Sequence, residues 1–226
     1  MTKPQEIREL DKQILIFQRQ LYRFYLTKIK KIGFTQDIPV EFFRKKYEQE
    51  IELLTRQFVE QVYFSRLESL KRKLLARTLL SNRSKAAALS DIFLHNRDLD
   101  RIRDLVLLYA GGFFDSVGRL LGRQSTRDFD PRTGLANTRT PYDEQAPFIR
   151  LARGAGYETY NAATAIKLGE VDPDRKIQYV TAEDERVCPI CMPFHLRIFR
   201  LSQLDIIPSL PQHPNCRCYY KELLGR

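Results

Sequence analysis

The sequence predicts an α+β protein, with helical hairpins in its first half and a small β-rich unit near its end. From Val40 to Ala110 the chain contains neither Gly nor Pro, which over that length favours helix. Short runs of β-branched and aromatic residues appear only after Lys176, at Ile177–Val180, Leu196–Phe199 and Tyr219–Tyr220. Helices followed by strands, rather than alternating with them, are typical of the α+β class.

Two apolar stripes support the helical prediction. Between Ile7 and Ile32, apolar residues recur at alternating steps of three and four, which places them on one face of a helix. A second stripe begins after the break at Gly33 and Pro39. The first stripe is Ile7, Leu10, Ile14, Phe17, Leu21 and Phe24; the second is Phe43, Tyr47, Ile51, Leu54, Phe58 and Val62, continuing through Leu67, Leu70 and Leu74.

Local signals divide the rest of the chain. Ser81-Asn82 predicts a break, Ser90 or Asp91 a helix cap, and Asp98 the start of another helix. The Pro- and Gly-containing stretch 122–147 predicts an extended loop or arm, with a helix resuming from about Gln145 to Leu168. The predicted organisation is therefore a helical, basic docking region at 1–121, an arm at 122–147 and a C-terminal domain at 148–226.

Composition limits the function classes. The 226 residues carry a net charge of +10 with 43% hydrophobic and 29% charged residues, an ordinary globular balance. The longest apolar stretch, Leu105–Phe114, is too short for a membrane helix, which needs about 20 residues. Met1 to Gln13 lacks the apolar core of a signal peptide. We therefore expect no membrane partner and synthesis in a reducing cytoplasm.

The positive charge is concentrated in the first half of the chain. Residues 1–110 hold 22 Lys and Arg against 14 Asp and Glu. In the densest basic run, residues 66–85, Glu68 is the single acid. On a helix these cations could contact phosphates without reading sequence, although a solvated helix face is the more common explanation of such a run. The candidate nucleic-acid-binding residues are Arg66, Lys71, Arg72, Lys73 and Arg77.

The last 40 residues contain a cysteine and histidine cluster. Cys188 and Cys191 form a Cys-x-x-Cys pair, and His213, Cys216 and Cys218 follow about 25 residues later. Such a pair presents two thiolates to one metal, and an intervening hairpin brings back the other two ligands. The predicted ligands are Cys188, Cys191, His213 and Cys216, with Cys218 as an alternate; His195 is a weaker candidate.

Thiolate and imidazole donors favour Zn²⁺. Four protein ligands leave no open position, so the predicted zinc is structural and the C-terminal unit is a zinc-stapled β-hairpin module. Cys188-Pro189-Ile190-Cys191 also matches a redox motif, but no helix is predicted after it to stabilise a thiolate. A nuclease would need an open metal position, with Glu183–Glu185 as its nearest acids.

These residues carry a family resemblance. The order Asp184, Cys188-Pro189-Ile190-Cys191, a short strand through Phe199 and then Pro211-Gln212-His213-Pro214-Asn215-Cys216-Arg217-Cys218 resembles the signature of the phage Mu F-like head-morphogenesis family. The similarity extends back to the helix at 150–168 and covers roughly a third of the chain. Where family members often carry Arg-Thr-Glu near the start of that helix, this chain has Arg153-Gly154-Ala155-Gly156-Tyr157-Glu158.

The resemblance implies a minor head protein of a tailed virus, without enzymatic activity. Such a protein acts in head assembly and in genome packaging or delivery. Its implied partners are the portal protein, the inner capsid wall, scaffold and packaged double-stranded DNA. Its implied location is the inside of the head, after assembly in the host cytoplasm. The alternative is a zinc-dependent nucleic-acid-binding protein or nuclease outside any virion.

Overall fold

A computed structural model describes residues 4–32, 39–79, 98–126, 141–182, 188–206, 208–213 and 215–223. This part of the chain is mainly helical with a small antiparallel sheet near its end, which confirms the predicted α+β class. No described helix is long and apolar enough to cross a membrane. The elements are α1 Gln5–Phe24, α2 Val40–Leu79, α3 Asp98–Thr126, α4 Pro141–Val171, β1 Lys176–Val180, β2 Ile198–Arg200 and β3 Tyr219–Glu222.

Helix α1 buries the predicted stripe, with one shift near its end. A π-helical turn at Tyr25–Ile29 follows α1 and inserts one extra residue per turn. The buried positions after Leu21 are therefore Tyr25 and Ile29, while Phe24 is only half-buried. The periodicity of the sequence could not reveal this change of pitch.

The predicted arm at 122–147 is too long. Helix α3 continues through Thr126 and α4 already begins at Pro141, so both ends of the segment are helical. Proline is favoured at the first position of a helix because its missing N–H has no intrahelical partner there. Residues 127–140, like the predicted break at Ser81-Asn82 and the cap at Ser90 or Asp91, lie outside the described residues. Asp98 begins α3 as predicted.

The chain forms two compact units that interleave in sequence, whereas the sequence predicted successive regions. Unit 1 comprises residues 1–58 and 104–152, and unit 2 comprises residues 59–103 and 153–226. The boundaries fall inside α2, α3 and α4. The core of unit 1 is aromatic: Phe17 stacks on Phe58 with ring centroids 4.1 Å apart, and Phe113 lies 5.6 Å from Phe148.

Unit 2 contains the sheet, in the order β2-β1-β3 with both pairs antiparallel. Ile177 pairs with Phe199 and faces the core, whereas the neighbouring pair, Lys176 and Arg200, lies on the solvent face. The buried cluster beneath the sheet includes Leu70 and Leu168 together with three of the four cysteines. The three strands that the sequence predicted are therefore confirmed, and they bring both halves of the cysteine and histidine motif together.

Candidate metal centre

The Cys-x-x-Cys half of the site is a tight turn in the connection between β1 and β2. The backbone N–H of Cys191 donates to the carbonyl oxygen of Cys188 at 3.1 Å and lies 3.3 Å from the Cys188 sulfur. The N–H of Met192 donates to the same carbonyl at 3.1 Å. The turn thereby holds both sulfurs on one side, as the spacing of the pair predicts.

The second half is a turn just before β3. The N–H of Cys216 donates to the carbonyl oxygen of His213 at 3.0 Å. Asn215 adopts a positive φ of 71°, a left-handed conformation that asparagine tolerates better than most residues. Arg153 supports this turn from α4, with its Nη1 3.4 Å from the Asn215 side-chain oxygen. His213 and Cys216 consequently face the first turn together.

The two turns bring the four predicted ligands into one cluster. The Nε2 of His213 lies 2.9 Å from the sulfur of Cys188 and 3.4 Å from that of Cys191. The sulfurs of Cys191 and Cys216 are 3.9 Å apart. In a tetrahedral zinc site, two sulfurs lie about 3.8 Å apart, and a sulfur and a nitrogen about 3.5 Å apart. Cys188, Cys191 and His213 form one group that could hold a metal ion, and Cys216 adjoins it through Cys191.

Cys218 belongs to the same cluster, so five donors are available for a four-ligand site. Its sulfur groups with those of Cys191 and Cys216, whereas His213 groups with Cys188 and Cys191. A hydrogen bond from the Cys218 thiol is the main cause that lowers the pKa of Cys216 to about 5, while the Cys218 pKa is raised.

The site is buried in an otherwise apolar setting. Cys191, Cys216 and Cys218 are almost inaccessible, and burial is the main cause that raises the pKa of Cys191 to about 11. Metal binding must displace the thiol protons, so metal affinity falls as pH is lowered.

Tyr179 lies beside the cluster, with its buried hydroxyl next to the Cys191 side chain. Its ring packs against Phe194 and Tyr220, at centroid distances of 5.7 and 6.2 Å. Its buried hydroxyl has no hydrogen-bond partner among the described residues. Burial, followed by the neighbouring Cys191 side chain, raises the pKa of this hydroxyl. By contrast, the hydroxyl of Tyr220 donates to the carbonyl oxygen of Pro208 at 2.6 Å.

His195 takes no part in the cluster. Its Nδ1 lies 2.8 Å from the hydroxyl oxygen of Thr181 and 3.3 Å from the Thr181 backbone nitrogen. These contacts fix the connection between β1 and β2 to the end of β1. The acids at 183–185 lie outside the described residues.

The prediction that Arg66 contacts nucleic acid is wrong. Its side chain is buried on the apolar stripe of α2, where Nη2 donates to Glu222 at 2.5 Å and Nε to the Thr164 hydroxyl at 2.8 Å. The guanidinium also lies 4.3 Å from the centroid of the Tyr160 ring. Lys73 donates to the second carboxylate oxygen of Glu222. Sequence patterns could not predict that Arg66 pairs with Glu222, because Glu222 lies 156 residues beyond Arg66.

The remaining cations of the basic run stay candidates. Arg72 is exposed, with its Nε 3.3 Å from the carbonyl oxygen of Glu68, and Lys71 is half-buried. Lys73 forms an ion pair with Glu222, and the side chain of Arg77 lies outside the described residues. Their contact with nucleic acid remains a prediction.

Comparisons of the chain with protein-family models, with curated proteins and with solved structures gave no match. The fold and the site alone describe this chain as a mainly helical protein with a small sheet. Beside the sheet lies a largely buried cysteine and histidine cluster that could hold a metal ion.

Proposed function

We propose that this chain is a minor head protein of a tailed virus, related to the phage Mu F-like head-morphogenesis family, and that its cluster holds a structural zinc ion. The supporting observation is that the two halves of the signature motif, 25 residues apart, place Cys188 and Cys191 within 3.4 Å of the same His213 nitrogen. Cys216 supplies the fourth donor in the proposed set.

Zinc is the proposed ion because thiolate and imidazole are its preferred ligands and a closed tetrahedron is typical of its structural sites. The ion would link the β1–β2 connection to the turn before β3. A small sheet has little core of its own, and a metal compensates for that deficit. The proposed role is accordingly assembly rather than catalysis.

In this role the helices dock on the portal protein or the inner capsid wall, and the protein remains inside the head beside the packaged DNA. Lys71, Arg72 and Lys73 are proposed to contact DNA phosphates without sequence preference. Scaffold is a further proposed partner during assembly in the host cytoplasm.

Native mass spectrometry of the full chain, purified under reducing conditions without added metal, tests the zinc proposal. We expect one zinc per chain, lost in His213→Asn and retained in the matched control His195→Asn, whose histidine lies outside the cluster. A folded, metal-free wild-type chain contradicts the proposal.

Purified particles test the virion proposal separately. We expect the protein inside the head, protected from protease until the head is opened. Its absence from particles, combined with zinc-dependent activity on DNA, would favour the alternative of a zinc-dependent nucleic-acid-binding protein or nuclease.

A further inference from the structure

The outer edge of strand β2 exposes unpaired backbone groups. The pairs Lys176–Arg200 and Gln178–Ile198 lie on either side of the Ile177–Phe199 pair, and Leu201 donates to the carbonyl oxygen of Arg175 at 2.9 Å. In an antiparallel ladder, residues of alternate pairs point their N–H and C=O groups away from the partner strand. The N–H and C=O groups of Ile198 and the N–H of Arg200 therefore point outward, and no backbone hydrogen bond from a described turn, loop or cap reaches them. The C=O of Arg200 lies at the start of the 3₁₀-helix Leu201–Ile206.

The segment that leads into this edge is unusually apolar for an exposed surface. Four large side chains are more than half exposed within nine residues of one another: Ile190 at 56%, Met192 at 54%, Leu196 at 52% and Ile198 at 55%. Exposed apolar side chains that are scattered singly need no explanation, but four of them in the segment that leads into a strand edge indicate an interaction site. We call the outer edge of β2 and these four side chains the knuckle edge.

The same face carries positive charge without a described counter-ion. Arg200 lies directly across from Lys176, and Lys221 lies across from Gln178 on the same face of the sheet. All three cations are exposed, and none forms an ion pair within the described ranges. Like charges directly opposite each other on a sheet are unfavourable, so an anion at this face would relieve the repulsion.

We propose that the knuckle edge binds an extended, acidic and apolar peptide segment of a partner protein, which adds to the sheet as a fourth strand beside β2. The outward groups of Ile198 and Arg200 supply main-chain hydrogen bonds, as in other cases of strand addition. An acidic residue of the segment faces Arg200, and an apolar residue two positions away faces Ile198. These two side chains thereby select the segment.

This proposal names a docking surface within the proposed assembly role, but it depends only on the sheet. A nucleic acid satisfies the charges of this face but offers no strand edge and no partner for the exposed apolar side chains. A second copy of this chain brings its own Arg200 to the same edge, which repeats the like-charge contact instead of relieving it. An acidic, extended segment meets all three features.

NMR titration of the zinc-loaded, ¹⁵N-labelled chain provides the test. The probes are a nine-residue peptide that alternates Glu and Val, its Lys and Val counterpart, and a 20-base-pair DNA duplex. We expect the Glu-Val peptide to shift the amide signals of Ile198 and Arg200 more than those of Lys221, whose strand lies at the other edge. The Lys-Val peptide should leave these signals unchanged.

Charge reversal makes the test specific. Arg200→Glu should weaken binding of the Glu-Val peptide about tenfold, because an attractive cross-strand pair becomes a repulsive one, and should create binding of the Lys-Val peptide. The matched control Arg19→Glu alters an exposed cation of α1 and should change neither affinity. Zinc content and melting temperature confirm that each variant is folded.

The proposal is overturned by equal binding of both peptides, by peptide-induced shifts away from β2, or by loss of the Ile198 and Arg200 signals on addition of DNA alone. Concentration-dependent dimerisation that itself shifts these two signals assigns the edge to a second copy and also overturns it. Each of these results leaves the zinc and virion proposals standing, because those are tested by metal content and by particle composition.

Discussion

Glu222 allows the energetics of unit 2 to be tested most directly. Its side chain is 5% exposed and accepts hydrogen bonds from Arg66, which is 1% exposed, and from Lys73, which is 38% exposed. Glu222→Ala removes the carboxylate from the buried Arg66 guanidinium, which keeps its contacts with the Thr164 hydroxyl and the Tyr160 ring. Removing one partner of a buried pair costs about 3–5 kcal/mol.

Two further variants separate charge burial from simple truncation. Lys73→Met should lower the free energy of unfolding by no more than about 1 kcal/mol, because its ammonium is partly solvated. The double variant Arg66→Met with Glu222→Leu should recover most of the loss, since apolar replacements of a buried pair are often neutral or stabilising. Urea denaturation of the zinc-loaded chain measures all three.

The pH dependence follows from the same contacts. Burial alone would raise the pKa of Glu222, but Arg66 and then Lys73 outweigh it and hold that pKa below its usual value. The carboxylate therefore stabilises the fold fully above the unfolded pKa of about 4.3, and this contribution is lost as pH falls through the lower, folded pKa. A Glu222→Ala cost under about 1 kcal/mol at pH 7, or one that does not shrink in acid, would refute this reasoning.

Three other predictions concern the metal centre and unit 1. Cys218→Ser should keep one zinc per chain in native mass spectrometry, whereas His213→Ser should lose it; the reverse result would make Cys218 the fourth ligand. Tyr179→Phe should weaken zinc binding about tenfold in chelator competition, because its hydroxyl lies beside Cys191 and can donate to that sulfur when it is a metal-bound thiolate. Tyr220→Phe, whose hydroxyl already has a carbonyl partner, should leave zinc affinity unchanged, and equal effects of the two would contradict this role. Phe17→Ala should lower the free energy of unfolding by about 3–5 kcal/mol without altering zinc content; loss of zinc would show that the two units are not independent in this respect.

The cysteine and histidine cluster was predictable because its information is local. The Cys-x-x-Cys spacing encodes one turn and the His-Pro-Asn-Cys spacing encodes the other, and each turn is closed by a backbone hydrogen bond of 3.0–3.1 Å between the ligand residues themselves. Bringing the two turns together in space required a hairpin, which the short apolar runs around the motif predicted. The choice between His213 and Cys218 stayed open because both lie within five residues of each other.

The role of Arg66 could not be predicted for the opposite reason. Its charge placed it in the basic run, but its position on α2 is that of the buried stripe, between Tyr63 and Leu70. A charged residue is accepted there only because Glu222 neutralises it, and no local pattern connects residues so far apart. The start of α4 was missed through a different ambiguity, since Pro141 can end a helix or begin one.

The distance in sequence between Arg66 and Glu222 also has a consequence during synthesis. At about 5–20 residues per second, the ribosome adds Glu222 about 8–30 s after Arg66. Throughout that interval α2 can form, but its guanidinium has no carboxylate and the sheet has no third strand. A nascent chain therefore cannot bury Arg66 favourably until β3 emerges, which delays closure of unit 2 until both turns of the metal site have also been made.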